Sequence, residues 1–381
     1  MKRICYVTTI SGTLKSFVLP TAAYIAEHTD WQISVICSED PDFAARLPEG
    51  VRYIPVPMKR GISLGGIGAM LKMVKIFRKE KYDLVQYSTP NAALYAAIAS
   101  WMARIKNRKY HLMGFRFLGF SGVKRWLFKS IEKLACALST DIECVSDSNL
   151  KLGIKERIFK KEKAKVLFYG SSAGVDLSRF DIAKKQLWRE TVRKEHGYSD
   201  QDCVFGFAGR ITGDKGINEL LAAFEQLDNP NARLFFVGRT EDEASLDAEK
   251  LNRARSNKKI VFHNYVNDIE RYFAMMDVLV LPSYREGFGN IVIEAQAMGV
   301  PVIVTDIPGP TDAMERDTTG LVVPVKDAAA LKEAMEYMAS HPDRREELGR
   351  NGRLFVQERF DQKKLCDMIL QDRKRLLEKQ V

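Results

Sequence analysis

Two carboxylates with seven residues between them bracket a glycine-rich turn, in the stretch Tyr284-Arg-Glu-Gly-Phe-Gly-Asn-Ile-Val-Ile-Glu294. The turn follows an apolar run, Val278-Leu-Val-Leu-Pro282, and opens a helix from about Asn290. Gly287 and Gly289 let the backbone come close to a ligand. The first N–H groups of a helix have no internal partner. At the carboxyl end of a strand, where open α/β sheets bind ligands, such a helix mouth suits a phosphate. A carboxylate beside a phosphate is repelled by it and needs another use. Accepting hydrogen bonds from sugar hydroxyls is the natural one for Glu286 and Glu294.

A second piece reads Phe205-Gly-Phe-Ala-Gly-Arg-Ile-Thr-Gly-Asp-Lys-Gly216. A strand runs into a loop holding Gly209, Arg210, Gly213, Lys215 and Gly216, and a helix follows. Arg offers a planar fork and Lys a mobile point charge, both suited to phosphate oxygens. The Walker spacing G-x-x-x-x-G-K-[ST] is missing. Together the two pieces describe a pocket for a diphosphate with hydroxylated groups on either side. The plainer readings are helix-start acids favoured by the dipole and solvated surface cations. The glycines and the pairing of the two loops argue against them.

These loops need strands to carry them. Short β-branched runs alternate with helical patterns almost throughout, which predicts βαβ units and parallel sheets. In the first half strands are expected at Arg3–Thr9, Gln32–Cys37, Val51–Val56, Asp83–Tyr87, Lys109–Gly114, Asp141–Val145 and Ala164–Phe168. The pattern starts afresh at Cys203–Ala208, Arg233–Val237, Ile260–His263, Val278–Leu281, Pro301–Thr305 and Gly320–Val323. The expected class is α/β with two doubly wound, Rossmann-like domains, the seam lying in Tyr169–Phe180. Two charged helical segments, Asp327–Glu358 and Asp361–Lys379, are expected to close the chain.

The composition is that of a globular chain, 46% hydrophobic and 28% charged over 381 residues. The longest uncharged apolar run, Asn91 to Ala103, is too short to span a bilayer, and no secretory leader is expected. Six cysteines without C-x-x-C spacing and five scattered histidines support no metal centre and suit reduced thiols in the cytoplasm. Residues 1–170 carry 28 Lys and Arg against 14 Asp and Glu, while the remainder is slightly acidic. The first half should therefore work at an anionic partner.

The E-x7-E arrangement, the "GRITGDKG" loop and the two βα halves resemble the retaining glycosyltransferases of family 4, with the GT-B fold, in particular their bacterial surface-polysaccharide members. The resemblance implies two Rossmann-like domains facing each other across a cleft. Residues 1–170, completed by a C-terminal helix 361–381, would bind the acceptor. Residues 171–360 would bind the nucleotide sugar. It implies a catalytic set of Arg210, Lys215 and Glu286. Glu286 would bind donor-sugar hydroxyls and Glu294 the ribose, while Arg210 and Lys215 would clamp the diphosphate. The backbone of Gly287, Phe288, Gly289 and Asn290 would add N–H donors. Gly12 and Gly209 would join the donor contacts, and the base would lie near Gly238-Arg239 and Tyr265-Val266. No cofactor or metal is implied; the donor would be a nucleotide-diphosphate sugar, UDP-linked.

In the first half, Ser11-Gly-Thr-Leu-Lys-Ser-Phe17 resembles the loop that faces the donor diphosphate from the acceptor side, with Lys15 and Arg116 as acceptor-side contacts. The segments "MGFRFLGF" and "YGSSAGVDLSRF" resemble the same family. Where many members carry His-Gly after the fifth strand, this chain has Met113-Gly114. His111 shares a strand face with residue 113 but sits a rung earlier, and reads as a satisfied strand histidine. Phe115, Phe117, Phe120 and Trp126 read as packing.

In Leu64–Lys81, residues Ile67, Met70, Leu71, Val74 and Phe77 recur at helical spacing and read as a core face, with lysines elsewhere. Such a basic amphipathic helix, and Lys124, Arg125, Lys129 and Lys133 around Trp126-Leu-Phe128, also suit an anionic membrane surface. The resulting expectation is a cytoplasmic enzyme, peripheral on the membrane, that moves a sugar onto a lipid-linked or growing saccharide. The alternatives are a sugar-nucleotide epimerase of the same fold and a basic nucleic-acid-binding protein. No RNP-like or zinc-finger motif supports the latter, and no nucleic-acid partner is expected.

Overall fold

The computed structural model describes residues 1–58, 61 and 65–378. The chain divides into two compact units, Met1–Ala173 with Gln362–Val381, and Gly174–Asp361.

All thirteen strands expected from the sequence form. In the first unit they are β1 (Arg3–Val7), β2 (Gln32–Cys37), β3 (Val51–Pro55), β4 (Leu84–Ser88), β5 (Asn107–Leu112), β6 (Asp141–Cys144) and β7 (Ala164–Val166). They make one parallel sheet in the order β3-β2-β1-β4-β5-β6-β7. In the second unit they are β8 (Cys203–Ala208), β9 (Ala232–Val237), β10 (Ile260–His263), β11 (Val278–Leu281), β12 (Val302–Thr305) and β13 (Gly320–Val323). Their order is β10-β9-β8-β11-β12-β13, again parallel. Every residue of β8 and of β11 is buried. Strands covered on both faces read as unbroken apolar runs, which is why they stand out in the sequence. In each sheet the order reverses beside the first strand, and the crevice at such a switch point is where open α/β sheets bind ligands.

The chain's end departs from expectation. The single segment read over Asp327–Glu358 is two helices, Ala328–Ser340 and Pro342–Arg359. Pro342 cannot donate a backbone hydrogen bond and restricts the residue before it, so it opens a new helix instead of continuing the old one. A third helix, Gln362–Glu378, belongs to the first unit. Its Leu365, Ile369, Leu370 and Leu377 pack with Ile4, Tyr6, Leu14 and Ile25.

Beneath that helix lies a buried ionic cluster. Lys109 on β5 is fully buried and meets Asp141, Glu143 (3.2 Å) and Asp372 (3.1 Å). Arg373, also buried, reaches Glu143 at 2.9 Å, Asp372 at 2.6 Å and the Gln86 side chain at 2.7 Å. Burial alone would raise the Glu143 carboxyl; Arg373 and Lys109 outweigh it and hold it down at about 2. Burial likewise works against the Asp372 carboxylate, and the same two cations with Lys165 keep it ionised.

Two packing expectations fail in the first unit. On the helix Gly65–Glu80, Val74 and Phe77 are buried, but Ile67 and Leu71 are exposed, and Ala69 and Met73 take the core positions instead. The core-facing stripe is therefore rotated away from Ile67 and Leu71 onto Gly66, Ala69, Met73, Val74 and Phe77. The Leu64 end of that expected segment lies outside the described residues, as does Lys379 at the chain's end. On the helix Gly122–Leu138, Trp126 is 68% exposed and packs no core. Phe115 and Phe117 are buried, and Phe120 stacks on Phe128.

Replacing Lys109 by Met leaves Glu143 and Asp372 buried with one fewer cation. Breaking such a pair from one side costs about 3–5 kcal/mol. Urea unfolding of Lys109→Met should show a loss of that order; a loss below about 1 kcal/mol would mean that water reaches the cluster.

Candidate active site

The second unit gathers its chemistry-bearing loops at the carboxyl edge of four adjacent strands. Arg210 and Lys215 follow β8, Gly238 follows β9, Val266 follows β10, and Glu286 to Asn290 follow β11. Two glycines make the close approach possible. Gly238 has φ +149°, and a Cβ there would sit 1.8 Å from the carbonyl oxygen of Gly209. Gly216 has φ +71°, and a Cβ there would sit 2.0 Å from the carbonyl oxygen of Pro282. The loops after β8, β9 and β11 therefore touch backbone to backbone.

Lys215 and Glu286 meet directly, Nζ to Oε1, at 2.6 Å, with both side chains largely buried. The Ser283 hydroxyl donates to the same Oε1 at 2.8 Å. The loops are tied further by Asp214. Its carbonyl accepts from the Tyr284 N–H at 3.0 Å, and its carboxylate accepts from Thr212 at 2.6 Å and Arg285 at 2.9 Å. Burial works against the Asp214 carboxylate, but the Thr212 hydroxyl and the Arg285 charge hold its pKa below the usual value. The Tyr284 hydroxyl donates to Glu219 at 2.6 Å. Arg210 is exposed and turned toward Glu241, 3.4 Å away.

Gly289, at φ +87°, caps the helix Asn290–Ala297, which begins where the sequence placed it. Phe288 is buried against Phe360. Glu294 lies one turn inside that helix, partly buried, and among the described residues no hydrogen bond reaches its carboxylate. Burial is the main cause that pushes it up to about 7; Arg179 opposes the shift and Glu270 adds to it. Arg179 itself is paired with Glu270 at 2.8 Å. At the β10 end, Tyr265 is exposed beside Val266, and the Arg239 guanidinium lies 5.7 Å from its ring.

The first-unit candidates lie apart from these in the chain. Ser11–Phe17 is a short helix and not the open loop it resembles; Gly12 and Lys15 are exposed on it, with nothing within 4 Å of a Cβ added at Gly12. Arg116 opens a 3-10 turn, lies 4.5 Å over the Phe128 ring and donates to Asn91 at 3.3 Å. His111 is buried, with its Nδ1 3.2 Å from the Ser88 hydroxyl, and burial lowers its pKa to about 4. Sequence reasoning missed Ser283, Asp214 and Tyr284. Their only signal was adjacency to the motif residues.

Residues 189–355 match the glycosyl transferases group 1 family, and residues 3–146 match the glycosyl transferase 4-like family. The capsular polysaccharide biosynthesis glycosyltransferase CapM of Staphylococcus aureus is 35% identical over 308 residues, 80% of each chain. A UDP-Gal:alpha-D-GlcNAc-diphosphoundecaprenol alpha-1,3-galactosyltransferase of Escherichia coli is 27% identical over 309 residues, 78% of this chain and 77% of that one. Among solved structures, HepE of Anabaena in complex with UDP superimposes with a TM-score of 0.77 at 20% identity, covering 98% of this chain and 100% of its own.

The fold class is thus GT-B, with two Rossmann-like domains. The chain belongs to the family-4-type glycosyltransferases of bacterial surface polysaccharides, and it is a glycosyltransferase of polysaccharide biosynthesis. These matches do not favour the epimerase or nucleic-acid-binding readings.

The raised Glu294 carboxyl has a measurable consequence. Below its ordinary value near 4.5 the group is protonated in folded and unfolded chains alike, and burial costs nothing. As pH rises from there through about 7, the folded chain progressively bears the cost of a buried charge. Glu294→Gln should match the parent near pH 4 and exceed it at pH 8 by on the order of 2 kcal/mol. Melting curves across that range check this; equal stability at pH 8 would mean a solvated carboxylate.

Proposed function

We propose that the enzyme moves a hexosyl group from a UDP-sugar to a hydroxyl of a lipid-linked or growing saccharide, with retention at the anomeric carbon and without a metal. The observation that carries this is the Lys215–Glu286 pair beside the Gly289–Asn290 helix mouth. It brings a cation, a carboxylate and the first turn of a helix together at the ends of adjacent strands. HepE has been crystallised with UDP and with UDP-glucose, and the E. coli relative's name gives a UDP-sugar donor and a diphospholipid-linked acceptor, which supports both choices here.

In this reading Arg210, Lys215 and the N–H groups at Asn290 take the negative charge that builds on the departing diphosphate. The bond between the anomeric carbon and the phosphate oxygen breaks. The acceptor oxygen bonds the same carbon from the same face, and its proton passes to the leaving phosphate. Glu286 holds donor-sugar hydroxyls and Glu294 the ribose. Lys15 and Arg116 are assigned to the acceptor. In this reading the fixed cations Arg210 and Lys215 carry the charge that a metal would otherwise take.

The Glu294→Ala and Arg210→Ala variants test the assignment. By titration calorimetry with UDP, Glu294→Ala should lose at least tenfold in affinity, the size of one lost charged hydrogen bond. Arg210→Ala should bind UDP more weakly and release it more slowly from a panel of UDP-sugars. Unchanged UDP affinity in both variants would overturn the site.

The acceptor's setting is the membrane. The helix Gly122–Leu138 leaves Val123, Trp126, Leu127 and Leu134 exposed, with Lys124 and Lys133 among them. Ile67 and Leu71 are exposed on the lysine-bearing helix Gly65–Glu80. Among the described residues no helix is long and apolar enough to cross a bilayer, so any contact through these helices is peripheral. With about 1 kcal/mol from each Lys or Arg near an anionic surface, the protein should float with phosphatidylglycerol vesicles at low salt. It should do so less at high salt, and less again as Trp126→Ser. No flotation at low salt would remove the membrane from the proposal.

A further inference from the structure

Glu286 uses only one of its two oxygens inside the protein. Oε1 accepts from Lys215 and from Ser283, while among the described residues Oε2 has no hydrogen-bond partner. A lone ion pair to a long lysine would not fix a glutamate's direction, since both side chains keep several rotamers. The second donor restricts that freedom, and it comes from a buried, anchored position.

Ser283 is fully buried. Its carbonyl accepts from the hydroxyl of Thr305, at the end of β12, which is itself buried. The residue before it, Pro282, is pressed against Gly216 of the neighbouring loop. The hydroxyl of Ser283 is therefore anchored on two sides, by β12 and by the loop after β8, and it holds Oε1 of Glu286 from within.

We propose that Ser283 is a positioning residue that acts through Glu286: by sharing Oε1 with Lys215 it turns Oε2 outward, toward the donor sugar. This rests on the reading of Glu286 as the sugar-binding carboxylate. It adds a residue that touches neither sugar nor phosphate, and it makes Lys215 serve twice, as phosphate cation and as second anchor of the carboxylate.

Loss of a positioning contact should appear in turnover and not in nucleotide binding. Misplacement of a reacting group by about 1 Å can cost up to about a hundredfold in rate. The wild type is first assayed for UDP release, without acceptor, from UDP-glucose, UDP-galactose and their N-acetylamino counterparts. With the fastest donor, Ser283→Ala should lower kcat by about tenfold. Its donor KM, its UDP affinity by calorimetry and its melting temperature should stay close to the parent's. Ser283→Thr, which keeps the hydroxyl, should recover most of the lost kcat.

An undiminished kcat in Ser283→Ala would overturn the inference. So would a UDP affinity that falls in step with kcat, because that pattern belongs to a disturbed loop and not to a misdirected carboxylate. Should Ser283→Thr fail to fold, because its extra methyl has no room, the split between kcat and UDP affinity in Ser283→Ala decides alone. If the wild type releases UDP from none of the donors, the proposed donor is wrong, and that failure is distinct from an unaffected Ser283→Ala.

Discussion

The contact between Lys215 and Glu286 exists only because two loops from neighbouring strands meet without side chains between them. Gly216 faces the carbonyl of Pro282 at a distance no Cβ could occupy, and Gly238 does the same to Gly209. Any larger residue would part the loops and separate the ion pair. A partly buried pair of this kind adds little net stability, since removing both ions from water offsets most of their attraction. What it supplies is direction: a cation and a carboxylate are held apart from bulk water before any ligand arrives, and that preorganisation is the part of catalysis a scaffold can build in advance.

The ionic cluster of the first unit shows the same ingredients in another role. Lys109, Arg373, Glu143 and Asp372 are also buried and also linked across distant parts of the chain. There every charge is matched by opposite charges inside the protein, and the cluster fastens the helix Gln362–Glu378 to the sheet. In the second unit the matching is incomplete: among the described residues, one oxygen of Glu286 is unused and the Glu294 carboxylate receives no hydrogen bond. A cluster whose buried charges are matched from within holds a fold together, whereas acids with unused acceptor capacity can take a further donor.

Central strands such as β8 and β11 were legible as short apolar runs covered on both faces, the outer ones by their place in the alternation with helices, and the candidate site could be proposed because its glycines, cations and acids fall within two short segments. What escaped did so for physical reasons. Lys109, Glu143 and Asp372 are far apart in the chain, so no spacing announces their meeting. Ser283 is one serine in a strand-end loop, and its role comes from Thr305 and Glu286, which only folding brings to it. Helical periodicity shows that Gly65–Glu80 has an apolar stripe but not which edge of it the sheet covers, so Ile67 and Leu71 were placed inward and lie outside. Trp126 was assigned to packing on residue type alone, and its neighbours Val123 and Leu127, exposed with it, would have had to be buried too. The break at Pro342 was visible in the sequence. The charge pattern on either side carried on through it and hid the boundary.

Glu294 ties stability to function most directly. A carboxylate pushed up to about 7 by burial is a standing cost to the folded chain at neutral pH. A ligand hydroxyl that donates to it supplies the hydrogen bond the protein withholds, so part of the cost is returned on binding. By linkage, whatever binds the charged form in the folded state pulls its pKa back down and stabilises the fold in proportion. Filling the position with an internal partner, as Ser283 and Lys215 fill Oε1 of Glu286, would stabilise the empty enzyme and, on the proposed function, weaken its hold on the nucleotide. On the proposed function, the donor that Glu294 lacks is the hydroxyl of a bound ribose, and the linkage follows from that assignment.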